Sequence, residues 1–96
     1  MTLSKAEMLT QVVDALKEIG DENDIAIDMT TNPMKSLGLD SGHGPTFACE
    51  MEVRLSIKID DEINPLVADE PQRRSRTVGE IVDLLLDLCK KQEVQK

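Results

Sequence analysis

Aromatic residues are almost absent from this sequence, in which Phe47 is the only Phe, Tyr or Trp among 96 residues. The core must therefore be built mainly from Leu, Ile, Val and Met. Such a core is soft and adaptable, because a methionine side chain has several rotatable bonds and no fixed shape. This composition is compatible with any small helical bundle.

Cysteine is also scarce, and the spacing of Cys49 and Cys89 matches no metal-binding pattern. The N-terminus carries no secretory signal pattern, so we expect a cytoplasmic protein whose thiols stay reduced. Apolar runs are short. The run at residues 84–86 is far below the roughly 20 residues that a membrane-spanning helix needs.

Basic residues are outnumbered, with 11 Lys and Arg against 19 Asp and Glu, which gives a formal net charge of −8. An acidic domain repels nucleic acid and anionic lipid surfaces and suits basic protein partners. The length predicts one domain, residues 1–96, with a single core. The acidic stretches at residues 21–28 and 60–62 lack the ligand spacing of a calcium-binding EF-hand loop, so no metal site is expected.

Two capping boxes mark the starts of helices. Ser4 and Glu7 open the first, which Gly20 is expected to end, and Thr77 and Glu80 open the last. In a capping box the hydroxyl and the carboxylate each accept a hydrogen bond from a backbone N–H of the first turn. Apolar residues then recur at helical spacing in both segments, and these predict buried faces: Met8, Leu9, Val12, Val13, Leu16 and Ile19, then Val78, Ile81, Val82, Leu85 and Leu88.

The middle of the chain is less regular. Residues 21–40 read as a long connection in which Asn32-Pro33 should break any helix. A second regular helix is expected at residues 45–56 after a looser turn, with Phe47 on its buried face. Asn64-Pro65 could start a short helix through residue 68, and the basic residues 72–76 read as a solvated linker. These elements predict an all-α fold: a small four-helix bundle with a long first loop and one short helix.

The pentapeptide Leu37-Gly38-Leu39-Asp40-Ser41 lies where the long connection meets the second helix. An Asp-Ser pair at a helix start is ordinary capping chemistry, and on that reading Ser41 is structural. A helix start also offers backbone N–H groups to a phosphate, and Gly42 and Gly44 would let the backbone approach it closely.

The Gly-x-Asp-Ser motif, the Thr-Val-Gly-Glu at residues 77–80 and the order of the elements together resemble the acyl carrier protein family. The resemblance covers essentially the whole chain, although only the two motifs are specific. The sequence departs from the family in having Gly42 after the serine, Pro45 at a position that is commonly aliphatic, and a longer segment between Ile59 and Thr77.

The resemblance implies that Ser41 carries 4′-phosphopantetheine through a phosphodiester, and that the arm holds acyl intermediates as thioesters for fatty-acid, polyketide or specialised lipid synthesis. A carrier of this kind is not an enzyme and has no catalytic residues. Its partners would be a phosphopantetheinyl transferase and acyl-transfer or synthase enzymes with basic docking patches. A monomer is expected, with Glu50 and Glu52 as candidate docking residues.

The segment from Asp40 to Glu70 contains eight acidic and two basic residues, a net of −6, which favours electrostatic docking. The competing hypothesis is an unmodified acidic helical adaptor that binds a basic protein partner. Two other reactive residues are read as passive: His43 as an exposed loop histidine without a catalytic role, and Cys49 as a buried, inert thiol.

Overall fold

The computed structural model describes residues 3–20, 26–68 and 74–94. Within these ranges the chain forms four helices and one two-stranded antiparallel ladder. In chain order the elements are α1 (Lys5–Gly20), α2 (Pro33–Ser36), α3 (His43–Leu55), β1 (Val67–Ala68), β2 (Arg74–Ser75) and α4 (Val78–Val94). The mostly helical architecture that the sequence predicted is confirmed, and the described residues contain no helix long and apolar enough to cross a membrane.

The capping box that opens α1 is confirmed. The backbone N–H of Ser4 donates to Glu7 Oε1 at 2.9 Å, and the backbone N–H of Glu7 donates to Ser4 Oγ at 3.1 Å. These reciprocal bonds satisfy N–H groups that a helix start otherwise leaves unpaired. The described part of the helix runs to Gly20, and residues 21–25, on which its predicted end at Gly20 depends, lie outside the described ranges.

The core lies where α1 packs against both α3 and α4. Its fully buried side chains come from all three long helices and from the segment between α3 and α4. Phe47 is completely enclosed among aliphatic residues, and the predicted apolar faces of α1 and α4 are largely confirmed. The largest fully buried side chains of the core are Phe47, Met8, Leu16, Met51, Leu66, Ile81 and Leu85.

The first connection contains a short helix where none was expected. Asn32 is the N-cap of α2: its Oδ1 accepts the backbone N–H of Lys35 at 3.3 Å, and Pro33 occupies the first helical turn. Proline is favoured at that position because its missing N–H would be unpaired in any case. The prediction that Asn32-Pro33 breaks a helix was wrong, since this pair starts one.

The same connection also covers the start of α4. The backbone N–H of Val78 donates to the carbonyl of Thr31, and that of Gly79 donates to the carbonyl of Met29, both at 2.8 Å. A Cβ at Gly79 would lie 3.1 Å from the Met29 carbonyl oxygen, so glycine permits this close approach. The capping box at Thr77 and Glu80 completes the helix start and is confirmed.

The predicted short helix at residues 64–68 was wrong. Asn64 Oδ1 accepts the backbone N–H of Leu66 at 2.9 Å, which folds a tight turn around Pro65. The chain then continues as β1, in which Val67 pairs with Ser75 and Ala68 pairs with Arg74. Asparagine favours this local bond over helix propagation, and the β-branched Val67 suits an extended backbone.

The basic segment at residues 72–76, which the sequence predicted to be a solvated linker, is partly a strand. Arg74 and Ser75 form β2 rather than a solvated linker, and the backbone N–H of Arg76 donates to the carbonyl of Leu66 at 2.8 Å. Residues 69–73, which include the rest of the predicted basic linker, lie outside the described ranges. The ladder and α2 are therefore the two additions to the expected helical bundle.

Candidate functional site

Ser41 lies in the turn that leads into α3. The carbonyl of Asp40 accepts the backbone N–H of His43 at 3.0 Å, and the carbonyl of Ser41 accepts that of Gly44 at 3.2 Å. The Asp40 carboxylate closes the turn by accepting the Gly42 N–H at 2.8 Å. Asp40 therefore shapes the turn, while α3 begins two residues before the predicted start at residue 45.

His43 is the first residue of α3 rather than part of a loop, which corrects the prediction for this residue. Its Nδ1 lies 3.1 Å from both the backbone nitrogen and the carboxylate Oδ1 of Asp40. With its proton on Nε2 the ring accepts the Asp40 N–H at Nδ1, whereas with a proton on Nδ1 it donates to the Asp40 carboxylate. In either state His43 braces the turn that holds Ser41.

Ser41 lines an open cleft of about 360 Å³ together with Met34, Val67, Arg74 and Ser75. Ser41 is half-buried, and no hydrogen bond from the described ranges reaches its hydroxyl. The hydroxyl is therefore not used as the cap of α3, which has Gly42 as its N-cap and no side-chain capping bond. The structural reading of Ser41 as a helix cap is thus not supported.

Asn64 fastens the segment before β1 to this turn. Its Nδ2 donates to the carbonyl of Ser41 at 3.0 Å, while its Oδ1 accepts the N–H of Leu66. Gly44 leaves the space for this side chain, because a Cβ at residue 44 would lie only 2.0 Å from Asn64 Oδ1. The sequence analysis did not predict this contact between Asn64 and the serine turn. The Asn64-Pro65 pair indicates a turn, but it does not indicate which distant backbone group the Asn64 amide binds.

Arg74 is held in place at the rim of the cleft by an ion pair. Its two terminal nitrogens each donate to one oxygen of the Glu80 carboxylate, in a fork-to-fork arrangement. The Arg74 guanidinium, followed by the Thr77 backbone N–H, lowers the pKa of Glu80 from 4.5 to about 2. Glu80 therefore stays ionised at neutral pH and links β2 to the capping box of α4.

The two predicted docking acids are engaged in bonds within the domain. Glu50 accepts from Arg54 at 2.9 Å, and Arg54 also reaches Glu18 on α1 at 2.7 Å. Glu52 Oε2 accepts the backbone N–H of Ile59 at 2.8 Å. Both carboxylates thus have structural partners, and Glu52 in particular fixes the chain after α3.

More freely exposed acids follow in the connection after α3. Asp60, Asp61 and Glu62 are all exposed, and Asp60 Oδ1 accepts the backbone N–H of Glu62 at 2.9 Å. Asp69 and Glu70, the other acids that the sequence grouped with them, lie outside the described ranges. In the described part of the acidic segment, residues 60–62 and Asp40 are therefore the exposed acids.

Cys49 is exposed on α3, which contradicts the prediction of a buried thiol, whereas Cys89 is buried. Cys49 lies between Phe47 and Met51 in sequence but on the opposite side of the helix, because two residues along an α-helix turn by about 200°. No cluster of His, Cys, Asp or Glu suited to hold a metal ion occurs within the described ranges.

In comparisons with known proteins, no family model, no curated protein and no solved structure matches this chain.

Proposed function

We propose that this protein is an acyl carrier that holds acyl intermediates as thioesters on a 4′-phosphopantetheine arm attached to Ser41. The observation that carries the proposal is that Ser41 lines an open cleft while its hydroxyl makes no hydrogen bond to the described residues. A serine that serves only as a helix cap would use this oxygen at the helix start.

The surroundings of Ser41 suit a phosphodiester. The turn lies at the N-terminal end of α3, where the helix dipole favours an anion. Gly42 is exposed and has no side chain to shield the turn, while its own N–H is bonded to the Asp40 carboxylate at 2.8 Å. Gly44 does not serve this purpose, since Asn64 fills the space beside it. The arm itself would supply the thiol that carries the acyl group, and the domain would contribute binding and orientation rather than catalysis.

In this proposal the protein acts as a cytoplasmic monomer that meets a phosphopantetheinyl transferase and then acyl-transfer or synthase enzymes with basic surfaces. Its net charge of −8 supports encounter with such surfaces. The family resemblance supplies the identity of the arm, and the fold agrees with it at the level of a small helical bundle with a serine turn before a long helix.

The deciding experiment is incubation of the purified protein with a broad-specificity phosphopantetheinyl transferase and coenzyme A, followed by intact mass. We expect one phosphopantetheine per chain and none on Ser41→Ala. The matched control is Ser36→Ala, because Ser36 is an exposed serine of α2 that does not line the cleft. Loading of Ser41→Ala, or loss of loading in the Ser36→Ala protein alone, would refute the assignment. A chain that stays unloaded yet binds a basic protein in a salt-sensitive manner would instead be the acidic adaptor.

Docking of the transferase should depend on the exposed acids rather than on Glu50 and Glu52. The variant Asp61→Asn removes the negative charge of an exposed side chain, and we expect it to slow loading of Ser41 by about 1.5- to 5-fold at low salt. Asp14→Asn removes the same charge from the exposed surface of α1 and should load normally. The difference should vanish near 1 M salt, where screening shortens to about 3 Å. Equal rates for both variants at low salt would contradict docking at residues 60–62.

A further inference from the structure

We infer that Arg74 binds the phosphoryl group that Ser41 carries, and so fixes the direction in which the attached group leaves the turn. The inference rests on the proposed function for the identity of the phosphoester. It starts from one juxtaposition: Arg74 and Ser41 line the same cleft, although they are 33 positions apart in the sequence. Among the cleft-lining residues in the described ranges, Arg74 has the only charged side chain.

The position of Arg74 is set before any ligand arrives. Its backbone is fixed in β2 opposite Ala68, and its guanidinium is held by Glu80, which is itself fixed by the Thr77 backbone N–H at 3.0 Å. Neighbouring Ser75 is held from the other side, since its Oγ accepts Asn32 Nδ2 at 2.8 Å. A cation that is already oriented loses less conformational entropy when it binds an anion than a free surface side chain does.

The ion pair with Glu80 leaves Arg74 able to bind a second anion. A guanidinium has five N–H donors, and the fork to Glu80 uses two of them. The Arg74 side chain remains 48% exposed, so the ion pair does not enclose it. A phosphodiester offers two non-bridging oxygens that share one negative charge and suit the planar geometry of arginine. Met34 and Val67 supply apolar surface in the same cleft, against which the first atoms of the attached group can lie.

A test that does not need the transferase places phosphoserine at residue 41 and follows its second ionisation by ³¹P NMR. An unperturbed phosphoserine has this pKa near 6. An adjacent guanidinium favours the dianion, so we expect the measured value to be lower in the Arg74-containing protein than in Arg74→Gln, by about half a unit. Lys35→Gln is the control, because it removes an exposed positive charge of α2 that does not line the cleft. Arg74→Lys keeps the charge without the fork and should give an intermediate value.

The second measurement uses the transferase-loaded protein, in which the ³¹P shift of the phosphodiester should move in Arg74→Gln and stay unchanged in Lys35→Gln. The inference about Arg74 would be overturned if the phosphoserine pKa were the same with and without Arg74, or if Lys35→Gln changed it equally. Efficient loading of Ser41 by the transferase would still support the carrier proposal in that case. If Arg74 lowers the phosphoserine pKa but no transferase loads the chain, Arg74 remains a phosphoryl-binding residue and the carrier proposal is refuted. Folding of each variant is checked by the dispersion of its amide NMR spectrum.

Discussion

The contact between Gly44 and Asn64 should be the most sensitive point of the serine turn. In Gly44→Ala the new Cβ would lie 2.0 Å from Oδ1, 2.3 Å from Cγ and 2.5 Å from Nδ2 of Asn64. Real Cβ atoms do not come within 3.0 Å of a neighbour, so the amide must move away. It then loses its bonds to the Ser41 carbonyl and the Leu66 N–H, which are 3.0 and 2.9 Å long.

The size of the effect follows from these contacts. Two lost hydrogen bonds cost about 1 to 3 kcal/mol together. Alanine offsets about 0.5 to 1 kcal/mol of this, because glycine is a poor helix former. We therefore expect Gly44→Ala to lower the free energy of unfolding by about 1 kcal/mol, the difference between the midpoints of these two ranges, measured by urea denaturation.

A double-mutant cycle separates the clash from other effects. Asn64→Ala removes the same two bonds without a clash, and adding Gly44→Ala to it should restore some stability rather than lower it further. Gly20→Ala is the control glycine, since its Cβ would meet nothing closer than 3.9 Å, and it should be neutral or stabilising. The reasoning fails if Gly44→Ala is as stable as the parent, or if the losses of the two single variants simply add.

Two further predictions concern single side chains. The pKa of Glu80 is about 2 in the folded protein and near 4.5 when unperturbed, so its contribution to stability is present above pH 4.5 and is lost as the pH falls towards 2. The stability difference between the parent and Glu80→Gln should therefore shrink across that window, and a pH-independent difference in urea denaturation would contradict this. Cys49 is exposed and Cys89 is buried, so iodoacetamide should modify Cys49 first under native conditions. Peptide mass spectrometry measures the labelling of each thiol, and faster labelling of Cys89 would refute the assigned burial.

The sequence predicted those elements whose signals are local. The capping boxes at residues 4–7 and 77–80 were correct because each joins a side chain to a backbone group three residues away. The apolar stripes of α1 and α4 were correct because helical spacing alone decides which side faces the core. The burial of Cys49 was predicted wrongly, although the helical spacing from Phe47 already indicated the outer face.

The remaining errors lie where two local structures are nearly equal in energy and a distant contact decides between them. Asn-Pro can end one helix or start another, and at residue 32 the Asn side chain caps α2 while its amide also reaches Ser75. Asn-Pro at residue 64 resembles it locally but leads into a strand. There the backbone of Leu66 bonds Arg76, and Val67 pairs with Ser75. No pattern within a few residues of either Asn-Pro pair distinguishes the two outcomes.

These distant contacts have a consequence for the site. The turn of Ser41 is held by Asn64, the cleft beside it is formed partly by β2, and β2 is joined to α2 through Asn32 and to α4 through Glu80. Each joint uses the side chain of a residue outside the three long helices, whereas those helices supply most of the buried core. Substitutions in the connections can therefore alter the geometry around Ser41 at a cost of about 1 kcal/mol per lost hydrogen bond, while the core retains most of the stability. Core substitutions should act in the opposite way, lowering stability without a specific effect on the serine turn.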